Sequence, residues 1–169
     1  PFVFQFQTLS KEFAEFPDRF FAPLDAFLEQ LPKDFQYAIE IRNREFLSPA
    51  YFEILNRHGA THCFNHWTRM PPLIDQMKAA ARAGGLKASF YVARILTPIG
   101  LSYEEAVERY SPYNQIRSPL LQMREDVVRL AKRALDKQIT AFIIVNNRAE
   151  GYAPMTINDI GSMIVSGSR

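Results

Sequence analysis

The sequence predicts an α/β protein with a TIM-barrel-like fold, in which about five of the eight strand-helix units of a full barrel are present. Five short apolar runs alternate with helical patterns, as in a parallel sheet that is covered on both faces. Neither Gly-x-Gly-x-x-Gly after a strand nor a Gly-Lys-Ser/Thr phosphate loop occurs, which argues against the common nucleotide-binding folds. Side-chain alternation places Gln5 with Val3, and Glu40 with Ala38, on one small polar face, as expected for residues that point into the top of a barrel. We expect residues 1–169 to form a single domain.

The predicted strands are short apolar runs that lead into polar residues. They are Phe2–Phe6, Tyr37–Ile41, Thr61–Phe64, Phe90–Ile95 and Ala141–Val145. The carboxyl ends of parallel strands meet at one edge of the sheet, and ligands bind at that edge in α/β folds. We therefore expect the functional site at this edge.

Capping signals locate the predicted helices. Ser48-Pro49 predicts the start of a helix and Gly59 its end. Gly84-Gly85 follows a helix instead of opening one, which favours a helix cap over a phosphate loop. Ser118-Pro119 predicts the start of the longest helix, whose charged side we expect to be solvated. The predicted helices are Pro23–Leu31, Pro49–His58, Pro72–Ala83, a helix from Ser118 to Leu135, and Pro154–Val165.

The composition is that of an ordinary globular protein, 47% hydrophobic and with a net charge of +2 from 20 basic and 18 acidic residues. This balance does not support nucleic acid or an anionic membrane as a partner. No run of about 18 apolar residues exists, so no membrane-spanning helix is predicted. The single cysteine, Cys63, lies in an apolar run, which favours a buried core residue and a reducing, cytoplasmic environment. The chain opens in a strand without an initiator Met, so we expect it to be part of a longer protein.

Glu40 and Arg42 lie two residues apart on one face of the second predicted strand, close enough to form an ion pair. In the functional interpretation Glu40 is a general base or a ligand anchor, and Arg42 with Arg94 clamps an anion. The alternative is a buried ion pair that only closes the top of the barrel. Gln5 and Asn65, at the ends of the first and third predicted strands, are candidates for contacting the same ligand.

Asn146 and Asn147 follow the last predicted strand, and their amides suit sugar hydroxyls, a base edge or a phosphate. The alternative is that they cap a turn. Gly151 precedes the last predicted helix, whose N-terminal N–H groups favour an anion. Three aromatic residues in predicted loops are candidates for stacking on a sugar or a base, with loop packing as the alternative. They are Trp67, Tyr110 and Tyr113.

His66 is the candidate ligand for a divalent metal. On a strand, His62 and His66 are four residues and about 13 Å apart, too far to share one ion. Glu40, on the neighbouring predicted strand, is the better partner, since carboxylate and imidazole together suit several divalent metals.

Four motifs in order resemble those of the domain-of-unknown-function-72 (YecE-like) family. Ala38-Ile39-Glu40-Ile41-Arg42-Asn43 before a Ser-Pro helix is similar to the family's Glu-x-Arg strand. The others are Val3-Phe4-Gln5-Phe6, Tyr91-Val92-Ala93-Arg94, and the run from Val145-Asn146-Asn147 to Gly151-Tyr152-Ala153-Pro154. The resemblance implies a TIM-barrel-like fold, of which this chain is the C-terminal two-thirds and lacks the N-terminal strands. The chain departs from the family at Ile95-Leu96-Thr97, where His-Gly is frequent, and at Asn65-His66, where an acidic residue is common.

These observations predict an enzyme that acts on a small phosphorylated or sugar-like substrate, with a hydrolase, lyase or isomerase reaction that uses Glu40. One alternative is a nucleic-acid binding or processing protein that reads bases with the aromatic residues and the two asparagines. The other is a non-catalytic module that binds a small anionic or sugar-like ligand. Metal-dependent turnover distinguishes the first, and a steep salt dependence of oligonucleotide binding distinguishes the second.

Overall fold

The computed structural model describes residues 1–166 and contains a five-stranded sheet in the order β1-β2-β3-β4-β5. The strands are β1 (Phe2–Gln5), β2 (Tyr37–Glu40), β3 (Thr61–His66), β4 (Phe90–Ile95) and β5 (Thr140–Val145). Every neighbouring pair is parallel. An unreversed sequential order is that of a barrel wall, whereas a doubly wound sheet reverses its strand order at a switch point. The predicted TIM-barrel-like α/β fold is therefore confirmed.

Helices follow the strands and cover one face of the sheet. They are α1 (Lys11–Glu15), α2 (Asp18–Gln30), α3 (Pro49–Arg57), α4 (Leu73–Arg82), α5 (Tyr103–Tyr110), α6 (Leu121–Asp136) and α7 (Ala153–Ser166), with a 3-10 turn at Arg44–Phe46. Within residues 1–166, none of these helices combines the length and the apolar character needed to cross a membrane.

Alternation along the strands separates two apolar layers, as the sequence predicts. Ile39, Ile41 and Phe64 face the helices and belong to the main core. Ala38 and Cys63 belong to a second, smaller cluster on the inner face of the sheet, and both are fully buried. Because side chains alternate, Glu40 shares the inner face with Ala38. Gln5 pairs with Glu40 across β1 and β2 and therefore lies on this inner face as well.

The capping residues before and after α3 lie where the sequence predicts them. The Ser48 hydroxyl accepts a hydrogen bond from the Tyr51 N–H at 3.4 Å, and Pro49 occupies the first turn. Gly59 follows the helix with φ +66°, a left-handed conformation that glycine adopts without steric cost. Tyr51 is fully buried, so the capped first turn of the helix packs into the core, as does Leu55 near its other end.

Two predicted helix starts are wrong. Helix α2 begins at Asp18, five residues before Pro23, which lies inside it. The buried stripe of Phe20, Leu24 and Leu28 spans the proline, and this packing offsets the hydrogen bond that proline cannot donate.

Helix α6 begins at Leu121 without a side-chain cap from Ser118. The carboxylate of Glu150, 30 residues later in the chain, accepts the Leu120 N–H at 2.5 Å instead. The charged side of α6 is also less solvated than predicted, because Arg124 and Asp126 are buried. Long-range polar contacts therefore define this helix start, and a local pattern cannot reveal them.

Candidate functional site

Glu40 is the last residue of β2, and its side chain is fully buried between two arginines. Arg42 Nε donates to Glu40 Oε1 at 3.0 Å, and Arg42 Nη2 lies 2.9 Å from the same oxygen. Arg94 Nη1 donates to Glu40 Oε2. One buried carboxylate thus binds two guanidinium groups through different oxygens.

Strand register explains why these groups meet. Gln5 pairs with Glu40 across β1 and β2, and Asn65 pairs with Arg94 across β3 and β4. Arg42 lies two residues beyond Glu40 and therefore keeps to the same face of the sheet. The charged groups form one layer at the carboxyl ends of the strands, directly above the small apolar layer that contains Ala38 and Cys63.

Arg42 is held in place by two further contacts. Its Nη2 donates to Gln5 Oε1 at 3.3 Å, and its guanidinium carbon lies 4.4 Å from the centre of the Trp67 ring. Trp67 therefore packs against the Arg42 guanidinium. This guanidinium covers a face of the ring that was predicted to stack on a sugar or a base. The Arg42 and Arg94 side chains remain 15% and 28% exposed, so both still reach solvent.

The arginines retain hydrogen-bond donors. A guanidinium carries five N–H donors, whereas Arg42 uses only Nε and Nη2 within residues 1–166, and Arg94 uses only Nη1. Arg42 also lines a cleft of about 590 Å³ at the carboxyl ends of the strands, together with Arg44, Arg69, Thr68 and Gly100. We call this the arginine cleft. Its three arginines outnumber its acidic residue, Glu45, so the cleft is cationic, and Arg94 is not among the residues that line it.

Cys63 and Asn65 are β3 residues on the same face of the sheet as Arg94. Burial and the nearby Glu40 raise the pKa of the Cys63 thiol, whose Sγ lies 4.0 Å from Glu40 Oε2. This thiol therefore stays protonated and is not a nucleophile. Asn65 Nδ2 donates to the Ile41 carbonyl at 2.9 Å, while its buried Oδ1 has no hydrogen-bond partner within residues 1–166.

The two asparagines after β5 act mainly in a turn. Asn146 Oδ1 accepts the Arg148 N–H at 3.0 Å, and Asn147 Oδ1 accepts the Ala153 N–H at 2.8 Å. The second bond caps the N-terminus of α7. These contacts match the turn-capping alternative for both residues. Asn146 still lies at the same edge of the sheet as Arg94, because its N–H donates to the Ile95 carbonyl at the end of β4.

Gly151 and Tyr113 are not connected to Glu40. In the described residues no hydrogen bond or ion pair joins either of them to Glu40, Arg42 or Arg94. The Gly151 N–H donates to the Asn147 carbonyl at 2.7 Å, so it is not free to bind an anion. With φ +110°, Gly151 packs so closely that an added Cβ would lie 2.5 Å from the Gln115 carbonyl oxygen.

Tyr113 lies in the loop before α6, with a positive φ of 64°. Its neighbour Tyr110, predicted to lie in a loop, instead ends α5 and is buried. The Ser102-x-x-Glu105 capping box at the start of α5 is a signal in the sequence that identifies this helix.

The predicted metal pair of His66 and Glu40 does not form. The two side chains lie on opposite faces of the sheet, because His66 alternates with Asn65 and Glu40 lies on the Asn65 side. His66 Nδ1 hydrogen-bonds to the Thr97 carbonyl at 3.0 Å instead. Between residues 1 and 166, no cluster of three or more His, Cys, Asp and Glu side chains is arranged to hold a metal ion.

His62 is a core residue. Its Nε2 faces Gln76 Oε1 at 3.0 Å and its Nδ1 faces the Tyr51 hydroxyl at 3.0 Å. Gln76 Oε1 also accepts the Asn65 N–H, so the amide oxygen faces His62 and Nε2 carries the proton. Burial lowers the pKa of His62 to about 4, and the ring is therefore neutral near pH 7.

A second buried ion cluster was not predicted from the sequence. Glu150 is fully buried and accepts hydrogen bonds from Arg124 Nε and Nη2, the Thr156 hydroxyl and the Leu120 N–H. Arg124 Nη1 donates to Asp159 at 2.8 Å. The cluster joins α6, α7 and the loop after β5, and its polar atoms satisfy one another.

Known proteins share this fold. A family model described as "Protein of unknown function DUF72" matches residues 1–166. A DUF72 family protein from Enterococcus faecalis V583 is similar with a TM-score of 0.58 and 13% identity, over 96% of this chain and 60% of that chain. A DUF72 family protein from Thermotoga maritima MSB8 is similar with a TM-score of 0.55 and 19% identity, over 96% and 56%.

At these identities the structural likeness supports the fold alone. The chain spans 60% or less of the length of both solved relatives. No curated protein matches it. Since the family model covers nearly the whole chain, including Glu40 and Arg42, the chain belongs to the DUF72 family of proteins of unknown function.

Proposed function

We propose that the arginines around Glu40 bind the phosphate of a small ligand and that the protein is an enzyme acting on that ligand. The observation that carries the proposal is the fully buried Glu40 carboxylate, which holds the guanidiniums of Arg42 and Arg94 at the carboxyl ends of the strands. Ligands bind at the carboxyl ends of the strands in barrel folds. A guanidinium group held in one orientation can donate two parallel hydrogen bonds to a phosphate.

The charge balance favours an anion. Arg42 and Arg94 carry two positive charges against the single negative charge of Glu40. Arg44 and Arg69 in the arginine cleft add more positive charge, while Glu45 is the acidic residue there. An anion that contacts the unused donors completes the hydrogen bonding of both guanidiniums, in surroundings where charge-assisted bonds are strong.

Glu40 has two successive roles in this proposal. Without ligand, the Glu40 carboxylate fixes the orientation of the Arg42 and Arg94 guanidinium groups. A bound phosphate competes with Glu40 for Arg94, whose side chain is the more exposed of the two, and this competition frees Glu40 Oε2. The freed oxygen is then a candidate general base for a hydrolase, lyase or isomerase reaction. Nucleic acid is less well supported as the ligand, because Arg42 already covers the Trp67 ring.

Thermal melts with increasing phosphate test the binding step. Phosphate should raise the melting temperature of the protein in proportion to occupancy. Arg94→Ala should weaken phosphate binding by about 10- to 150-fold, since a hydrogen bond to a charged group contributes about 1.5–3 kcal/mol. The matched control is Arg129→Ala, because Arg129 is 53% exposed and its ion-pair distance to Glu125 is 3.8 Å.

The readout is the phosphate-induced shift of each variant, so a change in basal stability does not affect the conclusion. An Arg94→Ala variant that keeps the full shift would contradict the proposal. Once a substrate is found, Glu40→Gln should bind it and fail to turn it over, and unchanged turnover would remove Glu40 from the chemistry.

A further inference from the structure

A second cleft adjoins the arginine cleft. It has a volume of about 360 Å³ and is lined by His66, Gln122 and Asp126 among mostly apolar residues. We call it the histidine cleft. Pro72 and Ile99 line both clefts, so the two clefts are adjacent.

His66 presents an unpartnered nitrogen to this cleft. The residue is 6% exposed, and its Nδ1 donates to the Thr97 carbonyl, which can only accept. Nε2 has no hydrogen-bond partner among residues 1–166. Burial lowers the pKa of His66, so Nε2 carries a lone pair near neutral pH and is a hydrogen-bond acceptor.

Asp126 is 1% exposed, and each of its carboxylate oxygens already accepts a hydrogen bond. Its Oδ2 accepts the Ile74 N–H at 3.1 Å, and its Oδ1 accepts Gln122 Nε2 at 3.0 Å. His66 Nε2, which has no partner within residues 1–166, is therefore an uncharged acceptor that suits a ligand hydroxyl group. The apolar remainder of the lining, including Pro98 and Pro119, suits the C–H faces of a sugar ring.

We propose that the histidine cleft binds the hydroxyl-bearing part of the ligand whose phosphate contacts Arg94 and Arg42, the latter of which lines the adjoining arginine cleft, so that the substrate is a sugar or polyol phosphate. This inference rests on the proposed phosphate site and adds the substrate class. His66 is then a specificity residue, because its Nε2 accepts a hydrogen bond from a ligand hydroxyl.

The test compares phosphate esters that share the charged group. Titration calorimetry with methyl phosphate, glycerol 3-phosphate, ribose 5-phosphate and glucose 6-phosphate gives the affinity added by hydroxyls. At least one of the three polyhydroxyl esters should bind about 3- to 10-fold more tightly than methyl phosphate, as expected for one uncharged hydrogen bond. His66→Asn should abolish this preference and leave methyl phosphate binding unchanged, because the Asn amide can keep the bond to Thr97 but does not reach the position of Nε2.

Proton NMR of the unsubstituted protein provides a test that needs no variant. The chain has three histidines, His58, His62 and His66, so their ring resonances can be separated. The preferred ester should shift the His66 ring resonance, and methyl phosphate should not. Equal affinity for all four esters, or an unshifted His66 resonance, overturns the subsite and leaves the phosphate site intact. If no ester binds, methyl phosphate included, the proposed phosphate site fails and this inference fails with it.

Discussion

Glu40→Gln is the most informative single substitution in this protein. The variant keeps the size of the side chain and removes its charge. It replaces one carboxylate oxygen with an NH₂ group, which must face either Arg42 or Arg94 because each arginine binds a different oxygen. One guanidinium thus loses its acceptor and meets a donor instead.

The expected loss of stability follows from burial. Removing one partner of a buried ion pair costs about 3–5 kcal/mol. Arg42 and Arg94 are 15% and 28% exposed and can turn partly toward water, so we expect a value near the lower end, about 3 kcal/mol. For a chain of this length, such a loss lowers the melting temperature by about 6–12 °C.

Urea denaturation and thermal melts with and without phosphate measure both consequences of the substitution. Without its carboxylate, the arginine pair has more uncompensated positive charge, so phosphate should stabilise Glu40→Gln more than the unsubstituted protein. Glu12→Gln is the control, because Glu12 is 59% exposed and its pair with Arg19 lies on the surface. A Glu40→Gln variant that melts within 1 °C of the unsubstituted protein, the order of the effect of about 0.5 kcal/mol typical of surface substitutions, would refute this account of the site.

Three further outcomes follow from local contacts. The pKa of His62 is about 4 in the folded protein against 6.5 unfolded, so the unfolded state binds the proton first as the pH falls. Unfolding free energy should therefore fall by about 3 kcal/mol between pH 6.5 and pH 4, and His62→Gln should flatten this dependence in urea melts at several pH values. Gly151→Ala should destabilise the protein by about 1–3 kcal/mol or more, because its Cβ meets the Gln115 carbonyl oxygen at positive φ; an unchanged urea midpoint would show that the loop can move. Ser102→Ala should cost about 0.5–2 kcal/mol through loss of the capping box of α5, whereas Ser89→Ala, at an exposed residue, should cost less.

Local patterns predicted the strands and the pairing between Glu40, at the end of β2, and Arg42, which follows it. Glu40 and Arg42 are two residues apart, and the alternation of side chains along a strand is enough to put them together. Apolar runs likewise located all five strands to within two residues at either end. These features depend on neighbours in the chain, and for this reason they can be read from one sequence.

Contacts between distant residues could not be predicted in the same way. Arg94 reaches Glu40 across 54 residues, and Glu150 caps α6 across 30. Arg124 was predicted to lie on a solvated helix face, and it is buried because it also bonds to Glu150. Adjacent strands alone do not bring His66 to Glu40. The two side chains lie on opposite faces of the sheet, because alternation along β3 places His66 on the face opposite Asn65.

Two fully buried glutamates in this fold bind arginines, and the difference between them indicates which one belongs to a site. Arg124 uses Nε, Nη1 and Nη2 in bonds to Glu150 and Asp159, and its side chain is 9% exposed. This cluster has little capacity for a ligand, so its role is to hold α6 and α7 together. The arginines on Glu40 are more exposed and keep unused donors, at the end of the sheet where barrels bind ligands. An anionic ligand needs hydrogen-bond donors that are unused, partly exposed and held in place. Of the two clusters, the one around Glu40 combines these features.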